Sequence, residues 1–252
     1  MYSSIWLDRL IAAPTLGVLL RPRVFTEHEY TSALRVLIDE CLTQGGNYER
    51  TSADRSGLPS AELSFPDGYT YSVSASELTV QFKYFHHLDH PEDPGTLPKT
   101  VKYSHEFEPY GKLLENTLTK TKRLFEKFPG ADKRTLLGLA SVASCVVDLK
   151  SPPPGVKAFL DHLQHPWEQG FVNGRLTFVA NLNDSDVCRH QVDWGHAQDV
   201  ANVTLEWQRS FSPETEVSGD SLFEHLSQCI PDSIQYFERF GAGDLNYVSL
   251  GD

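Results

Sequence analysis

Apolar positions along this chain recur at two spacings, and the alternation between them predicts the elements. Thr15 to Phe25 reads as a first strand, with Pro22 near its end. Thr26 and Glu29 then have the spacing of a capping box, in which side chain and backbone satisfy each other's orphan N–H groups. The helix they open places Tyr30, Ala33, Leu34, Leu37, Ile38, Cys41 and Leu42 on one stripe and stops at Gly45-Gly46. A meander follows: Ala61, Leu63 and Phe65 alternate, Pro66-Asp67-Gly68 turns the chain, and Tyr69, Tyr71 and Val73 alternate again. Leu78, Val80, Phe82 and Tyr84 make a further strand, and His86 to Thr100 reads as a long loop. The next helix, Glu106 to Phe128, gathers Phe107, Tyr110, Leu113, Leu114, Leu118, Leu124, Phe125 and Phe128 on one side.

Pro129 to Lys133 breaks the pattern and marks an internal boundary. Beyond it, Leu136 to Leu149 is continuously apolar, which predicts a central strand buried on both faces. Pro152-Pro153-Pro154-Gly155 leads to a short helix carrying Val156, Phe159, Leu160 and Leu163. Asn173-Gly174, between Phe171-Val172 and Leu176, Phe178 and Ala180, predicts a tight hairpin, and Asp184 to Gln198 reads as a polar loop. Val203, Leu205 and Trp207 alternate in a last strand. The closing helix carries Leu222, Phe223, Leu226, Cys229, Ile230, Ile234, Phe237 and Phe240, with a capping-box spacing at Ser221 and Glu224 and a kink or restart at Pro231.

Both parts of the chain therefore run strand, helix, antiparallel strands, long amphipathic helix. This order predicts an α+β fold of two tandem ferredoxin-like (split βαβ) two-layer sandwich units, over residues 1–130 and 131–252.

Composition changes this picture in two respects. A net charge of −12 disfavours a general nucleic-acid coat, because phosphate binding draws on Lys and Arg. The four cysteines, Cys41, Cys145, Cys188 and Cys229, are scattered without a C-x-x-C pair and read as small hydrophobes in a reducing compartment, so the cytoplasm is expected. The apolar stretch Leu10 to Leu20 is broken by Pro14 and Gly17 and is read neither as a signal peptide nor as a membrane span.

Three sets of residues carry candidate chemistry. His86, His87 and His90, with Asp89, Glu92 and Asp93 around them and His105 beyond, have the donor types of a divalent-metal site. Cys188, His190, Asp193 and His196 form a second set, suited to a tetrahedral metal or to a Cys–His nucleophile pair. Lys112, Lys120, Lys122, Arg123 and Lys127, continued by Lys133 and Arg134, concentrate positive charge on the Glu106–Phe128 helix, where it would meet RNA or an acidic partner. Each set also has a plain reading as solvated or core structure. No phosphate-binding glycine loop, G-x-S-x-G or H-E-x-x-H is present, and Gly241-Ala242-Gly243 reads as a helix C-cap.

The Leu222–Phe240 helix with Glu224-His225-Leu226 near its start, Tyr110 before the middle helix and Leu137-Gly138-Leu139 after it resemble an uncharacterised, sporadically distributed bacterial family of similar length. Ala140 to Ser144 stands where that family has an Arg-Tyr-x-Asn run, and the family brings no activity with it. The tandem architecture is also similar to that of CRISPR RNA-processing endonucleases, with Gly241-Ala242-Gly243 at the place of their glycine-rich loop and His28 as the histidine to test.

Two functions follow as expectations. The first is a non-enzymatic binding or assembly protein that offers a sheet edge or helix face to a protein partner or a second copy of itself. The resemblance implies a place for it in a bacterial defence or toxin-neutralising operon. The second is an RNA-binding or RNA-processing hydrolase using the loop histidines, with or without a divalent metal. No other cofactor and no membrane contact is expected.

Overall fold

In the computed structural model, residues 2–21, 26–51, 58, 60–84, 86–88, 101–103, 105–128, 134–158, 173–195 and 200–244 are described. The first strand, β1 (Ile11–Leu20), begins earlier than the alternation from Thr15 suggests, and turns Ala12, Pro14, Leu16, Val18 and Leu20 to one face. Helix α1 (Glu27–Thr43) opens with the expected capping box: Thr26 N–H donates to Glu29 Oε2 at 3.0 Å and Glu29 N–H to Thr26 Oγ1 at 3.2 Å. Strands β2 (Asn47–Thr51), β3 (Ser60–Ser64), β4 (Tyr69–Val73) and β5 (Glu77–Phe82) form the meander. Two short strands, β6 (His86–Leu88) and β7 (Val101–Tyr103), pair at the start and just past the end of the stretch read as loop. Helix α2 (Tyr110–Glu126) is one turn shorter at its start than the periodicity predicts, and Phe107 lies exposed ahead of it against Tyr84.

The second half repeats the order. Strand β8 (Arg134–Asp148) is followed by a helical turn over 154–158, then β9 (Asn173–Asn181), β10 (Asp186–Gly195), β11 (Val200–Ser210), β12 (Glu216–Val217) and helix α3 (Gly219–Gly241). Helix α3 starts earlier than Ser221 and Glu224 suggest: Ser218 is the cap, and its N–H donates to Ser221 Oγ at 2.8 Å. It continues through Pro231 to Gly241, and Gly243, at φ +80°, closes its C-terminus as a cap should.

One sheet runs through both halves in the order β2-β3-β4-β5-β1-β8-β11-β10-β9, with β12 pairing the start of β8. Among the described residues every pairing is antiparallel. A split βαβ unit needs a parallel pair, which these strands do not form. Each half is instead a strand, a connection to the far edge, and a meander that walks back to the first strand; the connection is α1 in the first half and opens with the turn over 154–158 in the second. The halves join where β1 and β8 pair from Ile11–Val146 to Leu20–Leu136, with a register shift at Leu19/Leu20. Pro14, which has no N–H to give, pairs with Ala143 of β8 and lies one residue outside the β5 register.

The helices occupy one face. Helix α1 lies against β2 and β3, α2 against β1 and β5, and α3 against β8 and β11, with α2 and α3 side by side over the join. Gly219 permits that approach, since a Cβ there would stand 2.9 Å from Glu126 Cγ. Residues 2–9 brace the pair: Tyr2 N–H donates to Glu115 of α2 at 3.1 Å, Asp8 accepts from Gly111 N–H at 2.9 Å, and Trp6 Nε1–H donates to the Phe237 carbonyl of α3 at 2.9 Å.

Two strand expectations fail. Asn173 and Gly174 lie within β9, opposite Gly195 and Trp194, and Asp186 to Gly195 is a strand and not a loop. The turn between β9 and β10 is made by Asn183, whose Oδ1 accepts from Ser185 N–H and Asp186 N–H, both at 2.8 Å. The inward side chains of β10 are Asp186, Cys188, His190 and Val192, so half of the buried face is polar and its alternation is invisible to a hydrophobicity reading. Phe171 and Val172, Pro129 to Lys133 and the apolar residues from Phe159 to Leu163 lie outside the described residues.

Candidate functional site

The two faces of strand β8 differ. Its apolar run suggested burial on both faces, yet exposure alternates: Leu139, Ser141, Ala143, Cys145 and Val147 are buried beneath the helices, whereas Ala140, Val142, Ser144 and Val146 are half-buried on the open face. Pairing lines these up into rows across the join. Thr79, Gly17, Ala140 and Gln208 form one row; Gln81, Thr15, Val142 and Glu206 the next; Ala13, Ser144 and Thr204 a third. The first two rows end in polar side chains, and the β8 residue in each row, Ala140, Val142 or Ser144, is small or apolar. A Cβ at Gly17 would already touch Ala140 Cβ at 3.4 Å, so the middle of the face is low because its side chains are short.

Two depressions result, each of about 400 Å³, one around Gly17 and Ala140 and the other around Ala13 and Ser144. Glu77 and Glu206 stand at the sides of the first, and Lys83 and Tyr84 at the second. Arg189 approaches Glu206 at 3.4 Å, and Lys83 approaches Glu62 at 3.3 Å. Such a surface offers hydroxyl, amide and carboxylate groups around an apolar floor and suits recognition of a chain laid across it.

The covered face holds Cys188 and His190 of the set that sequence singled out in β10, together with Asp186. Arg209 grips Asp186 with two bonds of 2.7 Å and reaches Asp232 at 3.0 Å, while its guanidinium lies 4.8 Å from the Trp207 ring. Burial alone would raise the Asp186 carboxyl, but hydrogen bonds from Arg209, Asn183 and Ser185 hold it below the usual range. A cavity of about 300 Å³ lies beside this cluster. His190 Nδ1 is 2.9 Å from the Tyr236 hydroxyl, and its ring stacks on Phe178 and tilts against Phe240. Burial pushes the imidazole down to about 4, so it is neutral near pH 7. Burial also raises the Cys188 thiol, with Tyr236 offsetting part of that. Thiol and imidazole are thus both held in their uncharged forms, the reverse of a thiolate–imidazolium nucleophile pair.

The remaining expected site residues are dispersed. Asp193 pairs with Arg175 across β9 and β10. His86 and His87 lie in β6 with their side chains outside the described residues, and His90 and His196 lie outside them altogether. Among the described residues no three His, Cys, Asp or Glu side chains converge as metal ligands. His105 packs beside Gly68 with its ring 5.9 Å from Phe82, and His28 is exposed on α1. Four of the five basic residues singled out on α2 are engaged with acids, Lys112 with Glu108, Lys120 with Asp67 at 2.7 Å, Lys122 with Asp220 at 2.8 Å, and Lys127 with Glu40, and Arg123 is exposed. Arg134, counted with them in the sequence, is buried and donates to the Ala75 carbonyl at 2.8 Å. Sequence reasoning passed over the open-face set entirely. Size in β8 gave no signal, because Ala140, Val142 and Ser144 on the open face are matched by Ser141, Ala143 and Cys145 on the covered one.

Compared with known proteins, the chain matches no family model, no curated protein and no solved structure. Among the described residues no helix is long and apolar enough to cross a membrane.

Proposed function

We propose that this is a non-enzymatic binding protein that receives a segment of a protein partner on the open face of its sheet, across the β1–β8 join. One observation carries the reading: the helices cover a single face, and the opposite face is sunken along the middle and polar along its sides. A laid-on segment gains apolar contact from Ala13, Ala140 and Val142 and hydrogen bonds from Thr79, Gln81 and Thr204. Glu77 and Glu206 favour a segment with Lys or Arg at that end. The neutral state of Cys188 and His190 supports a packing role for them and adds weight to binding over hydrolysis.

The test is a photo-crosslinking residue placed at Thr79 or Thr204 in producing cells, with the same residue at the exposed Arg35 of α1 as the reference. The expected result is one polypeptide captured from the two sheet positions and not from Arg35, with capture lost when Glu77 and Glu206 are both changed to Lys. Equal capture from Arg35, or none from the sheet, contradicts the proposal.

A further inference from the structure

The two ends of the sheet are unlike. At one end β2, Asn-Tyr-Glu-Arg-Thr, is five residues long with two adjacent charges, Glu49 and Arg50, the common means of keeping an edge from recruiting another strand. At the other end β9 is nine residues long and pairs with β10 in one unbroken register from Asn173–Gly195 to Asn181–Val187, with no bulge to twist it away. It contains no Pro, no Lys and no carboxylate; Arg175 is its one charged residue, and Asp193 already neutralises it. Thr177 and Val179 are exposed side chains on it, Val179 at 59%. Among the described residues nothing pairs with its outer side.

We infer that β9 pairs antiparallel with β9 of a second copy, extending the sheet through a two-fold axis. Charge decides between a copy and an unrelated acidic or basic strand. The chain as a whole carries −12, so two copies repel at most approaches, yet β9 brings no acid to this one. In an antiparallel self-pairing Arg175 faces itself only if the axis passes through Arg175. Every register centred between Thr177 and Val179 sets it against an uncharged residue and overlaps most of the strand. With the axis through Phe178, Thr177 of each copy faces Val179 of the other, a cross-strand pair of exposed β-branched residues. The pairing leaves the open face of the sheet accessible, so it stands or falls independently of the proposed partner site.

Sedimentation equilibrium on the full chain tests this, up to about 100 μM, a range that detects micromolar association. The expected mass is twice 28.3 kDa for the wild type and for Tyr48→Lys on β2, and 28.3 kDa for Val179→Lys, whose thermal unfolding matches that of the wild type at dilutions where both are monomeric. Hydrogen exchange gives a readout free of any variant: amides 175–181 gain protection as concentration rises, and those of β2 do not. A monomeric wild type at all concentrations, a dimer that survives Val179→Lys, or concentration-dependent protection at β2 alone overturns the inference.

Discussion

Beneath α2 the sheet meets Leu113, Leu114, Leu118 and Phe125, and the two buried threonines there, Thr117 and Thr121, return their hydroxyls to carbonyls of their own helix at 2.7 and 2.8 Å. Beneath α3 the same layer contains an ion pair, a histidine hydrogen-bonded to a tyrosine, and Ser233 bonded to Ser141 of β8 at 3.0 Å. The halves share an order of elements and differ in what they hide. The N-terminal half is held by apolar packing with its charges paired outside; the C-terminal half has moved charge and titration inside. Below neutral pH, stability in the second therefore depends on the Asp186–Arg209 pair and on His190.

Removing one partner of the inner pair gives the larger contrast. Arg209→Met leaves the nearly buried Asp186 carboxylate without its bidentate partner, and a cost of about 3 kcal/mol is expected in urea unfolding. Adding Asp186→Leu to that variant restores most of the loss, because the uncompensated charge goes with it. The matching truncation at the outer Lys120–Asp67 pair costs under about 1 kcal/mol. Equal costs at the two pairs would erase the distinction drawn between the halves.

The pH contrast is smaller. His190 is held neutral in the fold at about 4, below its ordinary 6.5, so the unfolded chain binds the extra proton first. Its contribution is fully present above the unfolded value and is lost as pH falls from there toward 4. Between about pH 7 and about pH 5 this amounts to about 2 kcal/mol. His190→Gln keeps a polar group beside Tyr236 and removes this share of the slope. An unchanged slope would show that the imidazole titrates normally.

Much of the N-terminal half was legible in the sequence because its inward positions are apolar. Leu63, Tyr69, Val80 and Phe82 alternate visibly, and Thr26 with Glu29 caps α1 at the place their spacing names. The C-terminal half was misread at β10, where Asp186 and His190 take inward positions, and at Asn173-Gly174, where a strong turn signal yields to pairing with β10. The repetition of the two halves was readable; their fusion was not. Nothing in a single strand's pattern says which neighbour it takes, and β1 and β8 find each other across more than a hundred residues. The candidate surface stayed hidden for a related reason, since small residues on an open face look like small residues in a core.

The fusion of the halves through β1 and β8 underlies both the proposed site and the comparison above, and scanning calorimetry tests it most directly. Phe125→Ala in α2 and Trp207→Ala in β11 each remove a fully buried ring, at about 3 to 5 kcal/mol. The expected result is one transition in the wild type, and the same single transition shifted down by either variant. Two transitions, each moved only by the substitution in its own half, would contradict it.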